Sequence, residues 1–517
     1  MLSIAADVAT KSEKQRYKMP PNTIPLTLNS IGNRSQGSYP QIDISAYVLS
    51  SGRYSPARYP LRVCYPRPDA ETSQYAYHRI WQTGEPIDIP IEAQWGARPY
   101  IYKILSSPAG WSIGEFLVLN GNGDLVINEA YGTLSNSNPS AGLHSIIIGI
   151  WSADNSEFVT AQFSVTVGDY GFFAAPSNLG TGDGSTAANA MNFAAAYGND
   201  DTLSPAKNKI LYCRGGDYTL TNIPAAGVDK PRAVVNYRSE IPRFISSVTD
   251  GQMNMKSSDL MFKGIELVNF GQSAVFRTYG TYYERQAVWR CKIVDALGDS
   301  VANKNEAGWF IDRASGVKRP DFLYREIEYV NCNEVAALDW YEVSGVITRQ
   351  TWTTNKPEIE EPIWYPKAGN AVDISYLVYD NVTAMFDASV NGVIDIGNNE
   401  QYSSATTHTR FCYVRTISGG KAIAVNTSIN ASSVDNWIDH CTVVGGEFNA
   451  RNYSADDHVY VDRCVVVNAA AGVSDPDGGG VTVTNLRGAT SGLVDANGRL
   501  LVAADVGLYG HIIRSFV

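Results

Sequence analysis

Acids and tryptophans crowd together in two stretches of this 517-residue chain. They are "EAGWFIDR" (306–313) and "TWTTNKPEIEEPIWYPKAG" (351–369), with "ALDWYEV" (337–343) between them. Carboxylates set beside indole rings suit sugar chemistry. Flat aromatic faces can stack on sugar rings, and two carboxyls can act on a glycosidic bond. The pair stands about 6.5–9.5 Å apart in an inverting hydrolase and about 5–5.5 Å apart in a retaining one. The candidate acids are Asp339, Glu342, Asp312 and Glu306, with Glu358, Glu360 and Glu361 further out. The candidate sugar platforms are Trp309, Trp340, Trp352, Trp364 and Tyr365. A plainer reading stands beside each acid: carboxylates on a β protein are mostly solvated, and Asp339 next to Trp340 can simply fix a turn.

Other chemistries lack their residues. "NLGTGDGSTAANAMNFAAAYG" (178–198) resembles a phosphate loop, but no lysine lies between Gly180 and Gly198, and a Walker loop requires one. Ser185 or Thr186 suits an N-cap, Gly198 a stop, and Ala187, Ala190, Met191, Ala194 and Tyr197 one apolar stripe. The segment therefore predicts a helix over 187–197. The six histidines form no HExxH or i,i+4 pair, and His440, at the head of a strand, is expected to face solvent. "SDPDGGG" (474–480) lacks the spacing and terminal Glu of an EF-hand and reads as a turn. Seven cysteines occur without a CxxC pair, and their odd number disfavours a full disulfide framework. No metal and no cofactor is expected.

Composition narrows the class further. The net charge of −11 argues against a non-specific nucleic-acid binder. No apolar run is long enough for a membrane span, and the N-terminus places its positive charges after its apolar residues, the reverse of a secretory signal. Glycine (45) and tyrosine (30) are abundant and charge is sparse at 18%, which reads as mostly β.

The elements that must position any site fall into three regions. Residues 1–84 are rich in Pro, Ser, Tyr and Arg and suit an extended arm or a small irregular β unit. Residues 85–168 alternate short strands with turns, from "PIDIPIEA" to "FVTAQFSVTVGD", as a β-sandwich does. After Gly180 an irregular repeat begins: "GIELVNF", "RCKIVDAL", "EIEYVNC", "HCTVVGG" and "RCVVVNA". Aligned, they bend at Asn269, Asp295, Asn331, Gly445 and Asn468, each preceded by Val. Four residues before the bend stand Ile265, Cys291, Ile327, Cys441 and Cys464, and Cys412 fits the same place in a fainter coil. Equivalent places in successive strands predict a parallel stack of coils with these thiols inside. The longest insertions between coils are expected at Ala296–Pro320 and Gly345–Asp373.

The entry "GTGDGST" (180–186), the helix, "KILYCRGGDYTL" (209–220) and the bend asparagines resemble pectin-lyase-like right-handed parallel β-helix proteins. Residues 85–168 resemble immunoglobulin-type, cadherin-like modules, without recognisable calcium ligands. Together the regions look most like a bacteriophage tailspike. That resemblance implies four parts: an anchoring segment at 1–84, an immunoglobulin-like unit at 85–168, a β-helix at 169–485 and a C-terminal cap or trimerisation segment at 486–517. It also implies a homotrimer on the virion, outside the cell. The N-terminal region would dock on phage tail or head proteins, and the β-helix would meet host surface polysaccharide, either to bind it or to depolymerise it as well. No nucleic acid and no membrane insertion is implied. The rival readings are a non-enzymatic β-helical fibre, adhesin or capsid decoration, and a secreted polysaccharide lyase or hydrolase.

Overall fold

The computed structural model describes residues 60–69 and 79–489, apart from short segments of which 221–229, 297–306, 397–405 and 427–434 are the longest. From Gly171 onward every strand pairing is parallel, and the strands stack into three ladders. The first ladder begins with Gly171–Ala175, Ile210–Cys213, Ala233–Asn236 and Met261–Lys263 and ends with Val481–Thr484. The second runs from Gly216–Leu220 to Arg487–Ala489. The third includes Ala274–Thr278, Ala307–Ile311 and Leu338–Tyr341, and later Lys421–Asn426 and Glu447–Arg451. The chain is a parallel β-solenoid. Short β-branched runs cannot bury a face alone, and each is satisfied by the coil above and the coil below.

The expected bends are present. Asn269, Asp295, Asn331 and Gly445 all have positive φ, and three of their amides donate across to the next coil: Asn269 to Val294 O (3.1 Å), Asp295 to Val330 O (3.0 Å) and Gly445 to Val467 O (2.8 Å). Asn468 lies outside the described residues. A second left-handed column, between the first and second ladders, had no such signal in the sequence. It comprises Gly264, Arg290, Glu326, Arg349, Tyr376, Phe411, His440, Arg463 and Asn485. Left-handed backbone costs a non-glycine residue about 1–2 kcal/mol. Here it turns the amide toward the neighbouring coil: Arg290 N to Arg325 O (3.1 Å), Phe411 N to Asp439 O (3.1 Å) and His440 N to Asp462 O (3.2 Å). Side chains stack along the same corner. Glu326 sits between Arg290 (2.6 Å) and Arg349 (2.7 Å), and the rings of Tyr376, Phe411 and His440 follow at 5.5 and 4.8 Å. His440 is thus a buried corner residue, which corrects the expectation that it faces solvent.

The interior is one continuous apolar column. Ile265, Cys291, Ile327, Cys412, Cys441 and Cys464 lie in it as expected, and all seven cysteines are buried and unbridged. Burial pushes the Cys291 and Cys332 thiols up to about 12, so they behave as small apolar groups. The helix is shorter than expected. Ala187–Asn189 forms a 3-10 turn capped by Thr186, and the α-helix is only Phe193–Tyr197, capped by Asn192. Phe193, Ala196 and Tyr197 join the interior column, with Phe193 against the rings of Tyr218 and Phe244. Among the described residues no helix is long and apolar enough to cross a membrane.

Upstream, Gly142–Trp151 and Phe158–Gly168 form an antiparallel pair at the centre of a four-stranded sheet, beside the smaller sheet of Ile87–Pro90, Thr133–Asn136 and Ser112–Ile113. Strands from before residue 85 belong to the same body. Arg62–Tyr65 pairs with Glu92–Gln94, and Ile80–Gln82 pairs parallel to Phe158–Gly168. This module is not separate from the solenoid. It packs against the outer side of the first ladder, sharing one apolar cluster with Tyr212, Met261, Trp289, Leu323 and Val346. Buried ion pairs fasten the contact. Arg98 meets Glu92 (3.1 Å) and Asp373 (3.3 Å), Arg410 meets Asp373, and Arg325 meets Glu92 (3.5 Å) and Gly132 O (3.2 Å).

Two predictions follow from this clamp. Asp373→Ala leaves Arg98 and Arg410 buried without their counter-charge, so chemical denaturation is expected to show a loss of about 3–5 kcal/mol; an unchanged midpoint would contradict the clamp. Burial would raise the Glu326 carboxyl, but the guanidiniums of Arg325, Arg349 and Arg290 override it and bring its pKa down to about 2 from 4.5. A depressed carboxyl stabilises the fold above its unfolded pKa and loses that contribution as pH falls through the folded one. Melting temperature should therefore drop as pH falls from about 4.5 toward 2, and less steeply in Glu326→Gln.

Candidate functional site

Where the upstream module ends, the outer side of the first ladder continues with polar and aromatic residues. Side chains alternate along a strand, and the register stacks them into columns. Asp373, His408, Trp437 and Tyr460 form one column; Ser375, Arg410, Asp439 and Asp462 form the next. The left-handed corner with Phe411, His440 and Arg463 borders the second. The strip starts beneath the module, where Arg410 bonds Gly96 O and Tyr100 OH, and opens toward the C-terminal coils. His408, Trp437 and Asp439 are buried, Tyr460 and His458 are half-buried, and Thr482 and Thr484 are exposed.

Its rings form a series. Trp437 and Tyr460 lie 5.7 Å apart in nearly parallel planes (8°), His458 lies 6.0 Å from Tyr460 at 16°, and His408 lies 6.0 Å from Trp437. Beside them is polar capacity that the fold leaves unused. His408 is 1% exposed, yet neither ring nitrogen has a hydrogen-bond partner among the described residues. Asp439 stands 3.9 Å from His408 Nε2 and in contact with His440 Nδ1, and neither of its oxygens accepts a hydrogen bond from a described residue. Asp462 accepts from Thr484 Oγ1 (2.5 Å) and Asn485 Nδ2 (2.8 Å) through one oxygen, and its other oxygen lies 3.3 Å from Arg463 Nε; Arg463 Nη1 and Arg410 Nε have no hydrogen bond among the described residues. Buried polar atoms are normally satisfied, and each exception calls for an account. Burial, followed by the positive charges of Arg410, Arg98 and His440, holds His408 well below its ordinary pKa, so the ring is neutral.

The residues expected to carry chemistry are distributed otherwise. Trp309 is fully buried in the solenoid interior, with Nε1 donating to Thr278 Oγ1 (3.0 Å) and its ring against Phe322 and Tyr324. Trp352 is also buried, between Tyr329 and Tyr379. Neither offers a sugar platform. Both lie on ladder strands, Ala307–Ile311 and Val343–Thr353, inside the stretches expected to be insertions. Asp339 and Trp340 lie on the third ladder, where Asp339 is in register with Phe310 and Tyr365, and Trp340 with Ile311 and Pro366. Glu358 begins a short strand paired with Thr383. Glu306, Asp312, Glu342, Glu360, Glu361 and Trp364 lie outside the described residues, as do 475–480 of the "SDPDGGG" turn. Among the described residues no group of three or more His, Cys, Asp or Glu is arranged to hold a metal ion.

The strip keeps a fixed spacing from the interior cysteines 412, 441 and 464: the residues two before are Arg410, Asp439 and Asp462, and those four before are His408, Trp437 and Tyr460. In an unbroken strand such even steps stay on the interior face; the left-handed residue between, Phe411, His440 or Arg463, turns them outward, and that corner had no signal in the sequence.

Replacing His408 with Phe removes two unsatisfied buried atoms while keeping the ring, and is expected to stabilise the fold by about 1 kcal/mol. A histidine whose pKa is depressed on folding supports stability above its unfolded pKa and withdraws that support as pH falls below it. The wild-type melting temperature should therefore fall from pH 7 to 5, and His408→Phe should flatten that fall. A destabilised variant with the same pH slope would contradict the strip geometry.

No protein-family model and no curated protein sequence matches the chain. Among solved structures, the crystal structure of pectate lyase Pel9A aligns over 63% of this chain and 82% of its own, at 13% identity and a TM-score of 0.31. At that level the assignment of a parallel β-solenoid stands on the strand register described above.

Proposed function

We propose that this chain recognises a polysaccharide on the strip formed by His408, Trp437 and Tyr460 with Asp439 and Asp462. One observation carries the reading: nearly parallel aromatic rings stand beside a column that holds unused acceptors and unused donors together. A sugar presents the matching surface, with an apolar ring face to stack and hydroxyls that both donate and accept. An anion would use only the donors and a cation only the acceptors.

The finer proposal is a tailspike role. The Pro-, Ser- and Tyr-rich segment ahead of the described strands would attach to phage tail or head proteins, and a homotrimer would present its solenoids to host surface polysaccharide. The sequence resemblance supports this setting. The third ladder is the alternative location, because the backbone register sets Asp339 beside Tyr365 there.

The test is binding of the full-length protein to purified host capsule or lipopolysaccharide, with native mass measured alongside. Binding is expected, and Tyr460→Ala should weaken it about tenfold, the loss of one aromatic contact. Release of oligosaccharides would add cleavage, expected to vanish in Asp439→Asn with Asp462→Asn. Binding unaffected by Tyr460→Ala but lost with Tyr365→Ala would move the site to the third ladder. No binding to any host glycan would refute the reading.

A further inference from the structure

We infer that the strip takes an uncharged sugar chain, built of neutral hexoses or N-acetylhexosamines, and rejects uronic-acid and other anionic chains; this rests on the glycan reading above. Asp439 and Asp462 are neighbours in register on successive coils, which places two carboxylates about 4.8 Å apart at the backbone along one column. The guanidiniums that border them are committed. Arg410 is tied to Asp373 and to Gly96 O, and Arg463 lies against Asp462 (3.3 Å), while Asp439 has the His440 ring beside it and no guanidinium of its own among the described residues. Asp373 is already shared between Arg98 and Arg410, so the module's positive charge is consumed beneath it.

What the strip has left among the described residues is a set of single bonding positions of both signs: Asp439 Oδ2, the two His408 nitrogens, Arg410 Nε and Arg463 Nη1. Hydroxyl and acetamido groups can satisfy both kinds at once. A sugar carboxylate would need an uncommitted guanidinium or ammonium and would instead meet Asp439. Like charges brought together in a partly buried site repel strongly. Acidity at this point selects against anionic chains as well as for hydroxyls.

The experiment uses the full-length chain on an array of gluco-, manno-, galacto- and N-acetylhexosamine oligosaccharides beside oligogalacturonates and oligosialic acids, followed by calorimetry on the hits. Binding is expected only among the uncharged sugars, with oligogalacturonate weaker by about tenfold or more. Asp439→Asn with Asp462→Asn should narrow that gap. Added salt, which needs no variant, should strengthen any residual oligogalacturonate binding and leave the uncharged sugars unaffected. Wild-type protein that binds oligogalacturonate as tightly as any uncharged sugar would overturn this inference while leaving glycan recognition intact. Failure to bind any sugar would overturn both.

Discussion

The whole solenoid depends on one hydrogen bond repeated at its corners: a left-handed residue turns its amide to the carbonyl of the next coil. Without it the chain would have to break the ladder at each bend and leave backbone groups unpaired inside a protein wall. With it the ladders run on around the corner, and side chains at equivalent places stack in register. The cost of left-handed backbone at Arg290, Phe411 or His440 is offset by that bond and by ion pairs or ring contacts along the corner. Register is then fixed for the interior and exterior columns together, because a slip of one residue would exchange them.

The candidate site is a consequence of that register. His408, Trp437 and Tyr460 are 29 and 23 residues apart, and only stacked coils bring them into one column. The upstream module completes the arrangement by holding Arg410 through Gly96 and Tyr100 at the buried end of the strip. Its role is therefore closer to a wall than to a spacer. The burial of Arg98, Glu92, Arg325 and Asp373 indicates a permanent contact, since separating the two parts would strip charges of their partners.

The parallel coil architecture was legible because one corner uses residues that advertise it. Asn269, Asp295 and Asn331 tolerate left-handed backbone, and the Val before each fixed the alignment. The interior thiols followed from that alignment. The other corner was hidden, since Arg, Glu, Tyr, Phe and His carry no preference for such a conformation and are held there by tertiary bonds. Losing it hid the coil through Val343–Thr353, so Trp352 passed for a loop residue; the third-ladder strand carrying Trp309 was missed in the same way. The attraction of tryptophans beside acids misled for a physical reason: in a solenoid with a thick aromatic interior, indoles are core as readily as platform. The acidic and aromatic columns outside the cysteines were hidden with that corner, since an even step from an interior cysteine otherwise stays on the interior face.

The most direct measurement is a crystal or electron-microscopy structure of the full-length protein with an oligosaccharide from a polysaccharide it binds. The account places a sugar ring against Trp437 or Tyr460, with hydroxyls bonded to Asp439 and Asp462. A sugar seated on the third ladder beside Tyr365, with the His408–Tyr460 strip empty, would contradict it.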